Sequence, residues 1–296
     1  MAQLSIAGCA AGSARARAAS GDPKTAILRA MRLPPPSRIR LEIRTRRYIG
    51  RHVRTVTAAL ADLQLLAAVQ QGGRLPRGYG KRLDERVVEF PWLLAMAPTG
   101  RVLDAGSTLN HAHVLDAFLP TLDELHIATL EPELSAFVQR RVSYTFCDLR
   151  QLPYRDDLFD TIVSCSTLEH VGMDNERYGV PVARAPDPDG ELDQALRELR
   201  RVLRPGGRML VTVPYGCAED RGWMRQFDRL GIERIVRSAG AGSAQIAVFA
   251  YGAGGWQTSD LDAARQARFR DDEHDASADG AVAARAVACL ALSDLS

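Results

Sequence analysis

After Gly100 the chain alternates short apolar runs with amphipathic segments. Short apolar runs bounded by polar turns are typical of buried strands, and the segments between them have helical periodicity. Continuous apolar strands separated by helices predict a mostly parallel sheet covered on both faces, an α/β fold of the Rossmann-like kind. The clearest helix is predicted at Glu191–Leu203. The predicted strands are Arg101–Ala105, Leu125–Leu130, Val142–Cys147, Thr161–Ser164, Arg208–Val213, Gln245–Ala250 and Arg285–Leu292.

The chain before Gly100 has a different pattern. Residues 38–71 have helical periodicity with one strongly apolar face, and a further helix is predicted in RLDERVVEFPWLLAMAP after a glycine-rich break. The small and polar N-terminal residues predict disorder, followed by a stiff LPPPS spacer. We therefore expect a disordered basic N-terminus (1–37), a helical extension (38–84) and an α/β domain (85–296).

Composition limits the class of protein. The 296 residues are 46% hydrophobic, which suits one α/β domain with an extension. No apolar run is long enough to predict a membrane span. The five cysteines lie far apart without a C-x-x-C pair, a pattern typical of reduced thiols. We expect a cytoplasmic protein.

The net charge of +2 hides an asymmetry. Residues 1–60 hold 12 Lys and Arg against two acids, or +10, whereas the remaining chain holds 26 against 34, or −8. A basic arm is typical of nucleic-acid or anionic-membrane binding. The alternative is an arginine-rich coding bias, with the arm packed on its acidic neighbour. Because Tyr48 is the only aromatic residue among these arginines, nucleic-acid binding is possible but not favoured.

Ligands of such sheets bind beyond the carboxyl ends of the strands, so the loops there carry the candidate chemistry. In VLDAGS, Asp104 ends a strand and Gly106 makes a turn, but the G-x-G-x-x-G pattern is absent because Thr108 and Asn110 replace glycines. In ATLEPE, a carboxylate could accept both hydroxyls of a ribose, with Glu131 preferred over Glu133. Either acid could equally be a helix N-terminal residue.

Two later segments are more specific. TFCDLRQLPYRDDLFDTIVSCSTLEHVG spans residues 145–172, and ELRRVLRPGGRMLVTVP joins an amphipathic helix to the next strand through a Pro-Gly-Gly turn. Together with VLDAGS, these segments resemble the class I S-adenosylmethionine-dependent methyltransferases, in particular their small-molecule branch. The resemblance spans residues 85–292. It implies a seven-stranded sheet whose last strand runs antiparallel, and a cofactor, S-adenosyl-L-methionine.

The resemblance also implies a role for individual residues. It puts Asp104 and Gly106 at the methionine end of the cofactor, Glu131 at the ribose and Asp148 at the adenine. The family pattern expects glycines at the positions of Thr108 and Asn110, so the cofactor loop departs from the family pattern at these two residues. The full set of predicted cofactor-binding residues is Asp104, Ala105, Gly106, Ser107, Glu131, Asp148, Leu149, Cys165 and Ser166.

His170 is the candidate catalytic residue, because an imidazole just past the fourth strand could take a proton from a methyl acceptor. The alternative is a histidine that packs against the cofactor or caps the turn. His111 and His113 resemble a metal pair, but no further ligands cluster nearby in the sequence, and we expect no metal. The long insertion after the fourth strand offers Asp174, Asn175 and Tyr178 as acceptor contacts, and the loop after the fifth strand offers Trp223 and Phe227.

These observations predict methyl transfer to a small-molecule or glycan-type acceptor, aided by positioning of the acceptor. Two alternatives stay open. One is an RNA methyltransferase that uses the basic arm, and the other is a catalytically inactive, methyltransferase-like binding protein.

Overall fold

The computed structural model describes residues 35–133, 135–270 and 284–295. Within these ranges, eight strands form one sheet in the order β3-β2-β1-β4-β5-β10-β8-β9, and β6 and β7 form a separate ribbon. The strands are β1 (Arg101–Ala105), β2 (Glu124–Thr129), β3 (Val142–Phe146), β4 (Phe159–Cys165), β5 (Leu203–Pro214), β6 (Glu219–Asp220), β7 (Arg225–Gln226), β8 (Ala241–Gly252), β9 (Gly255–Ser259) and β10 (Ala286–Leu295).

The order of the strands confirms the expected α/β fold. β1 to β5 are parallel. The last strand, β10, lies between β5 and β8 and runs antiparallel to both. The main sheet has eight strands, not seven. The additional strand, β9, pairs antiparallel with β8 after a tight turn at Gly252–Gly255. Its sequence GWQTS lacks the continuous apolar run of a buried strand, because β9 lies at the edge of the sheet.

The helices are α1 (Pro35–Ala61), α2 (Leu63–Gln71), α3 (Arg86–Ala95), α4 (Ala112–Phe118), α5 (Pro188–Val202), α6 (Arg229–Ser238) and α7 (Leu261–Ala264). The single helix predicted for 38–71 is divided at Asp62, whose side chain caps α2 by accepting hydrogen bonds from the amides of Gln64 and Leu65. α1 begins at Pro35, within the segment predicted to be disordered. Proline suits the first turn of a helix because its missing N–H would have no partner there. The rest of that segment, residues 1–34, lies outside the described residues.

The helical extension packs onto the sheet domain through polar and apolar contacts. At β9, the Trp256 indole donates to the Leu83 carbonyl at 3.1 Å. Within the extension, Tyr48 and His52 of α1 both bind the carboxylate of Asp84, at 2.6 and 2.9 Å. α3 is apolar on nearly all sides, and its Phe90 and Trp92 are buried in the core that lies on one face of the sheet. A second core, which includes Leu196 and Leu199 of α5, covers the other face. No helix in the described part of the chain is long and apolar enough to cross a membrane.

Candidate active site

The carboxyl ends of β1 and β4 meet at one edge of the sheet. Gly106 follows β1 with a φ of +125°, a conformation that glycine adopts readily. A Cβ built on it would lie 2.0 Å from Oγ1 of Thr167, which follows β4. The loop after β1 therefore touches the loop after β4 directly, and only a glycine fits between them.

Asp104 lies in the most buried part of this edge. Its Oδ2 accepts a hydrogen bond from the Leu109 amide at 2.8 Å, whereas its Oδ1 is buried and has no partner among the described residues. Burial raises the pKa of Asp104 to about 7, although the Leu109 and Thr108 amides oppose the shift. The hydroxyl oxygen of Ser107 is likewise buried without a partner in the described chain. Ala105, between β1 and the turn, is fully buried.

Thr108 and Asn110 replace the expected glycines with side chains that hold the loop. The Thr108 hydroxyl donates to the Cys165 carbonyl at 2.8 Å. The Asn110 amide donates to the Ser135 carbonyl at 2.9 Å and accepts from the Tyr144 hydroxyl at 2.8 Å. These bonds connect the loop after β1 with the end of β4 and with the segment between β2 and β3.

Cys165 and Ser166, two of the predicted cofactor-binding residues, are buried and bound to residues of α3. Oε1 of Glu89 accepts from the hydroxyls of Ser166 and Thr212, both at 2.6 Å, and its Oε2 binds Arg86. Burial raises the pKa of the Cys165 thiol well above its usual range, so Cys165 is a neutral thiol at physiological pH. Glu89 thus joins the helix before β1 to the ends of β4 and β5.

Three charged residues at this edge were not predicted: Arg86, Glu89 and Glu169. Glu169 is 2% exposed, and its Oε2 has no partner among the described residues. Burial raises its pKa to about 8. Arg86 and Glu89 could have been found in the sequence as charged positions on an otherwise apolar helix. Glu169 could have been found because it lies in the STLEHV segment that carries the resemblance.

At the predicted adenine position, Asp148 is already engaged. Both of its oxygens accept from Arg150 Nε, at 2.9 and 3.0 Å, and Arg150 also binds Glu191 of α5 at 2.5 Å. Although burial opposes it, Arg150 lowers the pKa of Asp148, so the group is a carboxylate. An adenine amine would share Asp148 with Arg150. Leu149 is buried in the core and makes an apolar floor next to it.

The two candidates for binding the ribose, Glu131 and Glu133, lie beside different loops at this edge. Glu131 is partly exposed and faces Gly179 in the insertion after β4, where a Cβ would lie 3.2 Å from its Oε1. The charge of Glu133 contributes to the raised pKa of Asp104, so this side chain lies near the loop after β1. Both acids follow β2 at the predicted edge.

His170 belongs to an aromatic cluster formed by the loops over this edge. Its ring stacks on Trp223 with centroids 5.5 Å apart, and Tyr178 packs edge-on at 5.2 Å. Phe269 packs edge-on against Trp223. Since a carbonyl oxygen only accepts, the 3.0 Å contact between His170 Nδ1 and the Trp223 carbonyl means that Nδ1 carries a proton.

The other predicted acceptor contacts are mostly structural. The Asp174 carboxylate accepts from the Glu176 amide at 2.9 Å, and the buried Asn175 amide donates to the Met173 carbonyl at 2.9 Å. Phe227 is 5% exposed and lies in the core, so it does not form the predicted wall of a substrate site. Its apolar ring packs under α6 because Gly231 leaves room for it.

His111 and His113 lie with their ring centroids 5.8 Å apart. Burial, together with the charge of His113, lowers the pKa of His111 to about 4, so it is neutral near pH 7. Within the described ranges no group of three or more metal-ligating side chains is found.

The residues at this edge fit the cofactor that the resemblance implies. The amino-acid end of S-adenosylmethionine carries an ammonium and a carboxylate, and its sulfonium is a cation. Asp104 and Glu169 each offer a buried oxygen without a partner in the described chain, and unpartnered buried oxygens are costly unless a ligand binds them. Gly106 keeps the turn above them free of a side chain.

Known proteins show the same kind of domain. The methyltransferase domain family matches residues 111–211. The chain is 36% identical over 74 residues to methyltransferase GfsG of Streptomyces halstedii, covering 25% of this chain and 20% of that protein. It is 29% identical over 96 residues to the tRNA (carboxymethyluridine(34)-5-O)-methyltransferase of Arabidopsis thaliana, covering 32% of this chain and 20% of that protein. Both matches therefore span a fifth of the relative's length.

A solved structure, N-methyltransferase NodS of Bradyrhizobium japonicum in complex with S-adenosylhomocysteine, aligns with a TM-score of 0.41 at 15% identity, covering 69% of this chain and 85% of that chain. The family match begins next to α4, after the loop that follows β1, and includes β2, β3, β4 and most of β5. The order of the strands, with an antiparallel last strand beside β5, is the one that the resemblance implied. Residues 111–211 therefore match a methyltransferase domain, and the order of the strands agrees with the class I S-adenosylmethionine-dependent fold that the resemblance implied.

Proposed function

We propose that this protein transfers a methyl group from S-adenosylmethionine to a small-molecule or glycan-type acceptor in the cytoplasm. The observation that carries the proposal is the pair of buried, unpartnered oxygens on Asp104 and Ser107, in the turn that Gly106 makes possible. This turn lies at the carboxyl edge of the sheet, where ligands of such folds bind.

When bound, S-adenosylmethionine supplies the methyl group on a sulfonium, from which an acceptor can displace it in line. The residues of this chain would bind the cofactor and orient its methyl group toward the acceptor. Asp104 and Ser107 would hold the methionine end, Glu131 or Glu133 the ribose, and Asp148 with Leu149 the adenine. Glu89 keeps the end of β4 in place through Ser166, which fixes where the methyl group would be presented.

His170 is the proposed proton acceptor. Because Nδ1 donates to the Trp223 carbonyl, a neutral His170 ring would carry its lone pair on Nε2, the tautomer that can receive a proton from an acceptor. A His170→Ala variant should lose most of its turnover and a His170→Gln variant nearly as much. Full turnover in both variants would remove His170 as the base and leave it a packing role in the aromatic cluster.

The aromatic cluster of His170, Tyr178, Trp223 and Phe269 supports a small acceptor with a ring or an apolar body. These side chains come from the insertion after β4, the loop after β5 and the segment before β10. Flat faces of this kind bind sugars and rings by stacking, with a contribution from dispersion and burial.

Calorimetry with S-adenosylmethionine and S-adenosylhomocysteine tests the proposal. We expect micromolar affinity, weakened strongly by Asp148→Ala and by Gly106→Val, whose side chain would collide with Thr167. Arg155→Ala, at an exposed site on the chain, serves as the control and should bind as the wild type does. If the wild-type protein binds neither compound, the proposed activity is wrong.

Methyl transfer to RNA is the second candidate, and one observation favours it. Exposed cations of α1 and of the loop between α2 and α3, together with the partly exposed Arg51, form a basic surface, here defined as Arg47, Arg51, Arg54, Arg74, Arg77, Lys81 and Arg82. The arginines that pair with described carboxylates all lie from Arg86 onward. Arginines that pair with no carboxylate can bind phosphates.

Binding without turnover is the signature of the third candidate, an inactive binding protein. The protein is incubated with cell extract and S-adenosylmethionine that carries a labelled methyl group. The main proposal predicts a labelled small molecule, and the second candidate predicts labelled RNA. Cofactor binding with no labelled product in either fraction would favour the binding protein.

A further inference from the structure

The two edges of the main sheet are protected differently. Along the edge strand β9, the Trp256 amide donates to the Tyr79 carbonyl at 2.8 Å, and the Gln257 and Thr258 side chains bind carbonyls of the loop between α2 and α3. The opposite edge strand is β3, which pairs with β2 alone. In the described part of the chain, no hydrogen bond reaches the outer side of β3.

The hydrogen bonds to β2 show which main-chain groups of β3 are left over. The Cys147 amide, just after the strand, donates to the Thr129 carbonyl of β2 at 2.9 Å. Successive residues of a strand point their N–H and C=O groups to opposite sides, so those of Val142, Tyr144 and Phe146 point away from β2. β3 therefore offers three donors and three acceptors on its outer edge.

β3 lacks the features that usually protect an edge strand. Its sequence VSYTF has no charged residue and no proline, and its register with β2 contains no bulge. Phe146 is 55% exposed, and Val138, shortly before the strand, is 60% exposed. Exposed apolar side chains beside free main-chain groups are typical of a surface that pairs with another strand.

The strand is complementary to a second copy of itself. If two copies run antiparallel with Tyr144 at the twofold axis, the outer groups of Tyr144 meet those of its counterpart, and Val142 lies opposite Phe146. The side chains of these residues share one face of the sheet, because they alternate with Ser143 and Thr145. Phe146 of each copy would therefore pack against Val142 of the other.

Charge favours the antiparallel arrangement. Arg141, directly before β3, is exposed and pairs with no carboxylate in the described ranges, whereas its neighbour Arg140 pairs with Asp116. Glu131 and Glu133 follow β2 at the other end of β3, and neither forms an ion pair with a described residue. Antiparallel copies bring the basic end of one strand to the acidic end of the other. Parallel copies would place Arg141 beside Arg141.

We propose that two copies of this chain associate through β3, antiparallel and centred on Tyr144, so that their main sheets join into one continuous sheet. The inference does not depend on the proposed function. A pair of five-residue strands buries less area than a standard interface, so the dimer is reversible, with a dissociation constant on the order of 10 μM.

Sedimentation equilibrium from about 1 to about 200 μM protein covers this range and measures the constant. Phe146→Lys places a charge where Val142 of the other copy would pack, and it should weaken the dimer by about tenfold or more. Leu230→Lys is the matched control, because it makes the same kind of change at a leucine of α6 that is 71% exposed. This variant should dimerise as the wild type does.

Arg141→Glu separates association from folding. It changes an exposed side chain and leaves VSYTF intact, so the variant should fold as the wild type does, as circular dichroism can verify. Reversal of this charge should weaken the dimer by about threefold, because Arg141 would then face the acidic end of the other copy.

Hydrogen exchange followed by mass spectrometry locates the contact. The amides of Val142, Tyr144 and Phe146 would be hydrogen-bonded only in the dimer. Exchange of the peptide that contains β3 should therefore slow as the protein concentration rises, while exchange of the peptide that contains β9 should not change.

Several results would overturn the inference. One is a wild type that stays monomeric over the whole concentration range. Another is a dimer that Phe146→Lys leaves intact, or that Leu230→Lys weakens as much, since the contact would then lie elsewhere or lack specificity. Protection of β3 that is independent of concentration would show that the protein's own chain covers this edge, and the inference would be wrong.

Discussion

Glu89 connects three elements through one carboxylate. It is fully buried, accepts two hydroxyl hydrogen bonds from Ser166 and Thr212, and pairs with Arg86. An isolated charge in such a position costs several kcal/mol, and only complete hydrogen bonding makes it tolerable. Its removal would leave the Arg86 charge and two hydroxyls without their acceptor.

We expect Glu89→Ala to lower the free energy of unfolding by about 3–5 kcal/mol, because breaking a buried pair from one side leaves an uncompensated charge. Urea denaturation followed by circular dichroism measures it. Glu124→Ala removes a carboxylate from an exposed ion pair with Arg101 and should leave the midpoint unchanged. Equal midpoints for wild type and Glu89→Ala would contradict the role given to Glu89.

The raised pKa values of Asp104 and Glu169, about 7 and about 8, predict how stability depends on pH. The folded protein holds these protons at pH values where the unfolded chain has released them, so stability falls as pH rises toward the folded pKa. His111, with its pKa lowered to about 4, acts in the opposite direction, but its contribution is complete above about pH 6.5.

The melting temperature of the ligand-free protein should therefore fall between about pH 6.5 and 8. Differential scanning calorimetry across this range measures the slope. Glu169→Gln should flatten it, and Asp104→Asn should flatten its lower part. A constant or rising melting temperature in the wild type would show that these carboxyls are ionised in the folded state.

Among the elements, the loop after β1 shows how side chains replace glycine. Thr108 and Asn110 bond to the Cys165 and Ser135 carbonyls, and Tyr144 donates to Asn110. A loop of glycines could approach a ligand closely but would have to be ordered by it. Here the side chains fix the loop before any ligand binds, at the expense of freedom in the backbone.

Asn110→Gly should lower the free energy of unfolding by about 1 kcal/mol, because it removes the acceptor of the partly buried Tyr144 hydroxyl and the donor to the carbonyl of the exposed Ser135. The Tyr144 hydroxyl keeps the Phe137 amide as its donor. Asn110→Asp retains an acceptor for Tyr144 but loses the amide donor, so its free energy of unfolding should lie between those of the wild type and Asn110→Gly. Thermal unfolding provides the measurement. A glycine variant as stable as the wild type would mean that the loop needs no side-chain support.

At the scale of the whole molecule, charge is divided between the helical extension and the sheet domain. Between residues 45 and 83 the sequence holds Asp62 as its one acid among eight Lys and Arg. Arg51 donates to the Arg82 carbonyl at 2.7 Å, which brings α1 and the loop after α2 together. The basic surface therefore draws on two segments that are in contact.

The RNA candidate predicts that this surface, and not net charge alone, retards RNA. Wild-type protein should shift tRNA at low salt, and Arg54→Glu/Arg74→Glu/Arg77→Glu should weaken binding by about tenfold or more. Arg155→Glu/Arg197→Glu/Arg237→Glu makes the same change in net charge at exposed positions elsewhere. If both triple variants weaken binding equally, or the wild type gives no shift, the candidate fails.

The antiparallel direction of the last strand came from the family resemblance. The repeating pattern of apolar runs by itself determined the strands β1 to β5, β8 and β10, a mostly parallel sheet, and the carboxyl edge where the site lies. This is because burial on both faces of a sheet imposes a local periodicity that can be read residue by residue. β9 escaped prediction because an edge strand has one exposed side and no continuous apolar run. The break between α1 and α2 at Asp62 was not predicted, because a capping residue does not interrupt the helical periodicity of the apolar positions around it.

Only the tertiary structure decided the charges at the site. Arg86 and Glu89 lie far from Glu169 in the sequence, and the roles of all three depend on which side chains surround them after folding. The same holds for Thr108 and Asn110, whose polar groups find their partners on β4, on β3 and beside it. The sequence determines periodicity because burial acts on each residue separately, whereas a buried charge is defined by its neighbours, and those neighbours exist only in the folded chain.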